Sequence, residues 1–208
     1  MESPISFSHV RLFPSDQITM HWHPFWELSW VIRGHGLRTV GDDIEPFTEG
    51  DVVLVPPDCP HRWNFDKDDV DENGHIENIT LLFSTQFFQG ITQVFPEYSE
   101  AVSSILVRNN AVQYRGVSMS GIQATLKKMD TADPMGRVPL LFELLGFMSA
   151  GTDRNLILHS GRGPRKEDKI EMLRIWTTCN YHRRITLDEL SRYLGMNKSS
   201  LCTYIRKH

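Results

Sequence analysis

The sequence predicts an α+β protein: a β-barrel or sandwich up to about residue 96, a helical region after it, and an all-α segment at the end. Three observations predict it. Up to about residue 90, short apolar stretches rich in β-branched and aromatic residues alternate with Gly, Pro and Asp turn signals. From Glu97 the apolar spacing changes to steps of three and four residues. The charge also divides: residues 165–208 carry ten Lys and Arg against five Asp and Glu, which leaves 12 of the 22 basic and 21 of the 26 acidic residues in 1–164. A basic end fits a polyanionic partner, and an acidic body repels one.

The elements follow in order. FWELSWVIRG (25–34) is β-rich and stops at Gly34; LRTVGDD (37–43) ends in a Gly-Asp-Asp turn; DVVLVPP (51–57) ends in a proline pair. HIENITLLF (75–83) follows the acidic stretch DKDDVDENG (66–74), which reads as an exposed hairpin tip. Many short strands of this kind make a sandwich or barrel. Val102, Ile105 and Leu106, then Met119, Ile122, Leu126 and Met129, mark amphipathic helices. Over 140–148, Leu141, Leu144, Leu145 and Met148 share one face while Leu140 and Phe147 lie elsewhere, so this helix is covered on more than one side, by core or by a second subunit. The stretch 151–166, with its glycines and proline, reads as a linker before a segment 167–208.

Hydrophobic residues at 40% and charged residues at 23% exclude collagen-like and mostly disordered classes. No apolar run approaches the length of a membrane span, and MESPISFSHVRLF lacks the basic start and apolar run of a secretory signal. Cys59, Cys179 and Cys202 are odd in number and far apart, which points to a reducing cytoplasm.

His21 and His23 stand two apart, with Glu27 four further on. On a strand these residues, with Ser29 and Val31, share one face. Downstream, GDVVLVPPDCPH delivers His61 after a turn. Three imidazoles and a carboxylate are a plausible shell for one divalent zinc, nickel, iron or manganese ion; a satisfied polar pocket or an organic effector site uses the same residues. The spacing resembles the two cupin motifs: His21, His23, Glu27 and Gly34 match the first, and Gly50, Pro56 and His61 the second. Two positions depart from it, with Asp58 in place of the second motif's middle glycine and Asn64 one residue early. The resemblance implies a cupin barrel over 1–96, with His21, His23, Glu27 and His61 as metal or effector ligands.

Near the end, Thr186 and Glu189 fit a capping box, with Leu187, Leu190 and Leu194 on one face. Gly195-Met196-Asn197 is a turn, and Asn197 caps a second helix on which Leu201, Tyr204 and Ile205 face the first. The outer face then carries Lys198, Ser199, Cys202, Thr203, Arg206 and Lys207. A helix-turn-helix and an αα-hairpin packed on the body both have this form. Residues 167–208, with Ile170, Leu173, Trp176 and Tyr181 as packing positions of a leading helix, are similar to the first half of the AraC-type DNA-binding domain. Stretches of the preceding part are similar to the cupin sensor of that family.

The resemblance implies a cytoplasmic, ligand-responsive transcription regulator and not an enzyme. It implies a small-molecule effector in the barrel, a homodimer through helices of 97–150, and duplex DNA as partner of the full-length protein. Ser199, Cys202 and Thr203 fall where the family reads bases, with Thr203 in place of the usual arginine. The family carries two such helix-turn-helix units and this sequence matches one, so weak DNA binding is expected of these 208 residues. A metal-dependent cupin oxygenase or isomerase is the alternative, and the basic helix pair speaks against it.

Overall fold

The computed structural model describes residues 4–106, 110–150, 154–157, 173, 177, 185–194 and 196–207. Among these, nine strands make two antiparallel sheets. The larger runs in the order β1 (Ile5–Leu12), β7 (Ile76–Phe83), β2 (Trp26–Arg33), β5 (Val52–Val55), β8 (Ala111–Tyr114), β9 (Arg154–Ile157). The smaller has the order β4 (Asp43–Phe47), β3 (Gly36–Val40), β6 (His61–Phe65).

Strand alternation decides what each face meets. Trp26 and Leu28 of β2 join Ile79, Leu81 and Phe83 of β7 and Val52 and Leu54 of β5 in a core that also contains helix residues. The opposite face turns to the small sheet: Val53 and Val55 pack with Val40, and Val31 packs with Phe47 and Phe65. The central strands β2 and β5 are thus buried on both sides, which is why they read as near-continuous apolar runs, whereas β1 and β7 alternate.

Four helices supply the outer layer: α1 (Thr85–Val94), α2 (Ser99–Ile105), α3 (Gly116–Thr131) and α4 (Pro134–Ser149). The expected stripes pack inward: Ile122, Leu126 and Met129 on α3 are buried with Met119 half-buried beside them, and Leu141, Leu144, Leu145 and Met148 on α4 are buried. These bury against the chain's own core, with Leu140 and Phe147 half-buried beside them. Asp133 caps α4 by accepting from the Gly136 N–H at 2.6 Å. Helix α3 is fastened to the sheet by two polar contacts: Gln123 donates to the Gly50 carbonyl at 2.6 Å, and His9 lies between Glu77 and Asp130 at 2.6 and 3.0 Å.

Several expectations are corrected. Strand β8 lies inside 97–150 and β9 inside 151–166, because each completes the large sheet beyond β5. The acidic stretch 66–74 is not a hairpin tip: β6 and β7 belong to different sheets, so it crosses between them. Asp71 orders this crossing by accepting from the N–H groups of Asn73 and His75 at 2.9 and 2.8 Å.

In the C-terminal part, α5 (Leu187–Tyr193) and α6 (Lys198–Lys207) pack through Leu190, Leu194 and Leu201, with Leu173, Ile185 and Met196 against them. Both caps form: Thr186 and Glu189 exchange bonds of 2.9 and 3.3 Å, and Asn197 accepts from the Ser200 N–H at 2.8 Å. Leu187 is 46% exposed and Ile205 39% exposed, so neither belongs to the contact face expected of it: the short helices meet only around Leu190, Leu194 and Leu201. Ile170, Trp176, Tyr181, Cys179 and most of the linker lie outside the described residues. Among the described residues, no helix is long and apolar enough to cross a membrane.

Candidate metal and effector site

His21, His23, Glu27 and His61 converge inside the barrel, all four buried, with one ligating atom from each within 4.8 Å of the others. Their delivery is local. Glu27 sits on β2, but His21 and His23 precede that strand in an irregular approach. His21 is placed by a two-way backbone bridge with His61, with N···O distances of 3.1 and 2.8 Å, which brings their rings to 4.1 Å between centroids. His23 is placed by the Asp58 N–H, which donates to its carbonyl at 2.9 Å. Asp58 holds φ at 59° where the motif has glycine; Asp is among the few residues that enter this left-handed region at modest cost. Gly34, at φ 112°, and Gly50, at φ 94°, explain the two other motif glycines.

Hydrogen bonding fixes the imidazole tautomers. The Nδ1 of His21 faces the Thr19 carbonyl at 2.9 Å, that of His23 the Phe25 carbonyl at 3.2 Å, and that of His61 the Cys59 carbonyl at 2.8 Å. A carbonyl only accepts, so each Nδ1 carries the proton and each Nε2 has a lone pair unless the ring is doubly protonated. Yet Nε2 of His23 and of His61 lie 2.8 and 3.3 Å from the same Glu27 oxygen. Lone pairs directed at a carboxylate oxygen need a cation between them, a proton or a metal. Backbone carbonyls orienting the far nitrogen of each ring are the arrangement found around ligating histidines. The donor set therefore fits a divalent cation.

Electrostatics agree. Desolvation and the neighbouring His61 charge pull His21 down to about 3, so it is a neutral donor. Burial alone would raise Glu27, but a positive charge on His61 and hydrogen bonds from His23 and His61, which require their Nε2 atoms to hold protons where a metal would otherwise sit, outweigh it and hold the carboxyl well below its usual range. The Cys59 thiol, pushed up to about 11 by burial, stays protonated and is a poor ligand.

A cavity of about 90 Å³ adjoins the cluster; of the four ligands, His21 and Glu27 line it. Its walls are apolar at Val10, Leu12, Ile18, Ile76, Phe65 and Trp63, and polar at Ser8, Gln17, Asn78 and Thr80. Gln17 mimics a strand, accepting from the Phe65 N–H at 2.7 Å along the free edge of β6. Sequence reasoning missed Ser8, Asn78 and Thr80. The polar alternation in ISFSHVRL and IENITLLF is the signal that could have found them. Trp26 and Trp30 turn away from Glu27 into or against the helical core, as their alternation requires.

The residues expected to meet DNA lie on α6. Ser199, Thr203, Arg206 and Lys207 are exposed and Cys202 is half-buried. Lys198 is exposed too, but its ammonium pairs with Asp188 at 2.6 Å. Both partners are more than half exposed, so the pair contributes little and a phosphate can displace it.

Residues 8–71 match the family model described as "Cupin domain", the stretch that holds both motifs. Solved structures similar to the chain include the AraC-like transcriptional activator CuxR, at 10% identity and a TM-score of 0.42, over 85% of this chain and 59% of that one. Apo ToxT from Vibrio cholerae is similar at 10% identity and a TM-score of 0.47, over 99% and 76%. Bacillus subtilis oxalate decarboxylase, a protein with Mn(II) centres, is similar at 20% identity and a TM-score of 0.33, over 46% and 30%. The chain spans less than two thirds of the length of CuxR. No curated protein matches it.

Proposed function

We propose that this chain is the sensor and first DNA-reading unit of a cytoplasmic, ligand-responsive transcription regulator of the AraC type. In this reading His21, His23, Glu27 and His61 hold one divalent ion, zinc, nickel, iron or manganese. A small-molecule effector occupies the adjoining cavity, and two chains pair through the helical layer. The observation that carries the reading is the pairing, in one chain, of a His/Glu cluster opening on a cavity with a doubly capped, outwardly basic helix pair. A metal-dependent oxygenase or isomerase shares the first feature and has no use for the second.

Lys198, Arg206 and Lys207 would contact phosphates, and Ser199, Cys202 and Thr203 would face base edges. The side chains at the reading positions are short and uncharged, so most of the affinity of residues 1–208 comes from phosphate contacts. Titration of the 208-residue chain against promoter fragments and scrambled duplexes at two salt concentrations tests this. Weak binding with little sequence preference and a steep loss at higher salt is expected, reduced further in Arg206→Ala with Lys207→Ala. Absence of any salt-dependent duplex binding would refute the DNA-reading role.

A further inference from the structure

The cavity has a chemical asymmetry that specifies a ligand class. Ser8 of β1 stands opposite Thr80 of β7, and Thr80 opposite Ser29 of β2, so three hydroxyls form a row across three adjacent strands on the inward face. The next inward position on β2 toward its start is Glu27, so this row lies directly beside the metal-binding end. Asn78 donates to the hydroxyl oxygens of Ser29 and Thr80 at 3.2 and 3.0 Å. The Thr80 oxygen is thereby used as an acceptor, which leaves its proton to donate into the cavity. Across from the row, on β6 of the small sheet, stand Trp63 and Phe65, and Ile76 extends the same face of β7 beyond Asn78 to meet Phe65.

Charge then limits the occupant. Among the described residues lining the cavity, none is a lysine or arginine, and Glu27 is the one acid. Three neutral imidazoles and one carboxylate around a divalent ion leave a single net positive charge at that end. A monoanion neutralises it; a dianion would bury an unpaired charge, at heavy cost. At about 90 Å³ the space is smaller than the roughly 150 Å³ cavity that accepts benzene.

We infer that the effector site takes a short-chain aliphatic monocarboxylate, its carboxylate held between the metal-binding end and the Ser8–Thr80 hydroxyls and its carbon chain against Trp63, Phe65 and Ile76. This rests on the metal reading above, and the test separates the two. Cobalt(II) replaces the native ion, and its visible spectrum reports on the ligands it meets. Butyrate, butyramide and succinate are the probes. Butyrate should change the spectrum of the cobalt-loaded chain and raise its melting temperature. Butyramide, the uncharged analogue, and succinate, the dianion, should bind at least about tenfold more weakly. Thr80→Val, nearly the same shape, and Ser8→Ala should each weaken butyrate by about five- to tenfold while cobalt stoichiometry stays unchanged.

If cobalt binds and butyrate leaves spectrum and melting unaltered, or butyramide does as well as butyrate, the ligand class is wrong and the metal site stands. If cobalt does not bind, the metal reading fails and this inference falls with it.

Discussion

At Asp58 a single dihedral angle carries a ligand: its left-handed backbone aims the N–H at the His23 carbonyl, and so fixes where His23 enters the cluster. Asp58→Ala keeps the N–H but strains the backbone. We expect a loss of about 1 kcal/mol in denaturant unfolding and weaker metal retention, whereas Asp58→Gly should keep both. A Gly variant less stable than the Ala variant would rule this account out. Glu77 makes the pH-dependent case. Partial burial pushes its carboxyl up, but the Arg11 bond at 3.0 Å and His9 at 2.6 Å prevail and lower it. A carboxylate lowered in the fold stabilises at pH above its unfolded value, near 4.3, and that stabilisation is lost as pH falls through the folded value. Melting temperature should therefore drop between about pH 5 and 3 more steeply in the parent than in Glu77→Gln. Parallel profiles for the two would show that the Glu77 contacts contribute nothing. Tyr114 is buried, its phenol pushed up by desolvation, and its hydroxyl has no partner among the described residues, so Tyr114→Phe should leave stability unchanged or raise it by about 1 kcal/mol in the same unfolding assay.

Between α3 and α4 the close approach depends on an absent side chain, since a Cβ on Gly121 would lie 2.2 Å from the Phe147 ring. Gly121→Ala must displace that ring from the core, at about 1–3 kcal/mol. In a Phe147→Ala background the same substitution should cost far less, and equal costs in the two backgrounds would mean that the helices do not meet there. What the sequence revealed at this scale follows a physical line. Strands β2 and β5 were legible because turn residues bound runs of Val, Leu, Ile and Trp, and α3 and α4 because apolar residues recur at three- and four-residue steps over two to three turns of each. β8 and β9, four residues each, were not: AVQY and RNLI become strands only by pairing with β5 and with each other, a contact between distant parts of the chain. The site divides in the same way. His21, His23, Glu27 and His61 were readable because local turns at Gly34, Gly50 and Asp58 impose their spacing. The row Ser8, Thr80, Ser29 was not, because strand register creates it from residues far apart in sequence.

For the whole molecule the open question at the sequence level was whether the apolar helix 140–148 faces the core or a second subunit. Its strongest stripe, Leu141 to Met148, is internal. Another stripe of α4 remains outside: Met135 is 83% and Val138 51% exposed, and Phe142, three to four residues on, packs edge-on against Phe95 and Tyr98, with Phe95 itself 44% exposed. Met135, Val138 and Phe142 follow the spacing of one helix face, so these side chains form a continuous apolar strip and not scattered surface residues. Isolated exposed apolar groups are ordinary, while a strip of this kind on a soluble chain is normally covered, most often by its own symmetry mate about a two-fold axis. Light scattering at micromolar concentration should therefore give twice the chain's 24.0 kDa. Val138→Glu puts a charge in the middle of the strip and should shift the mass to that of the monomer, while circular dichroism stays unchanged because Val138 contributes little to the internal core. A monomeric mass for the parent would defeat the prediction. So would a dimer that survives both Val138→Glu and Met135→Glu, for the pairing surface would then lie elsewhere on the molecule.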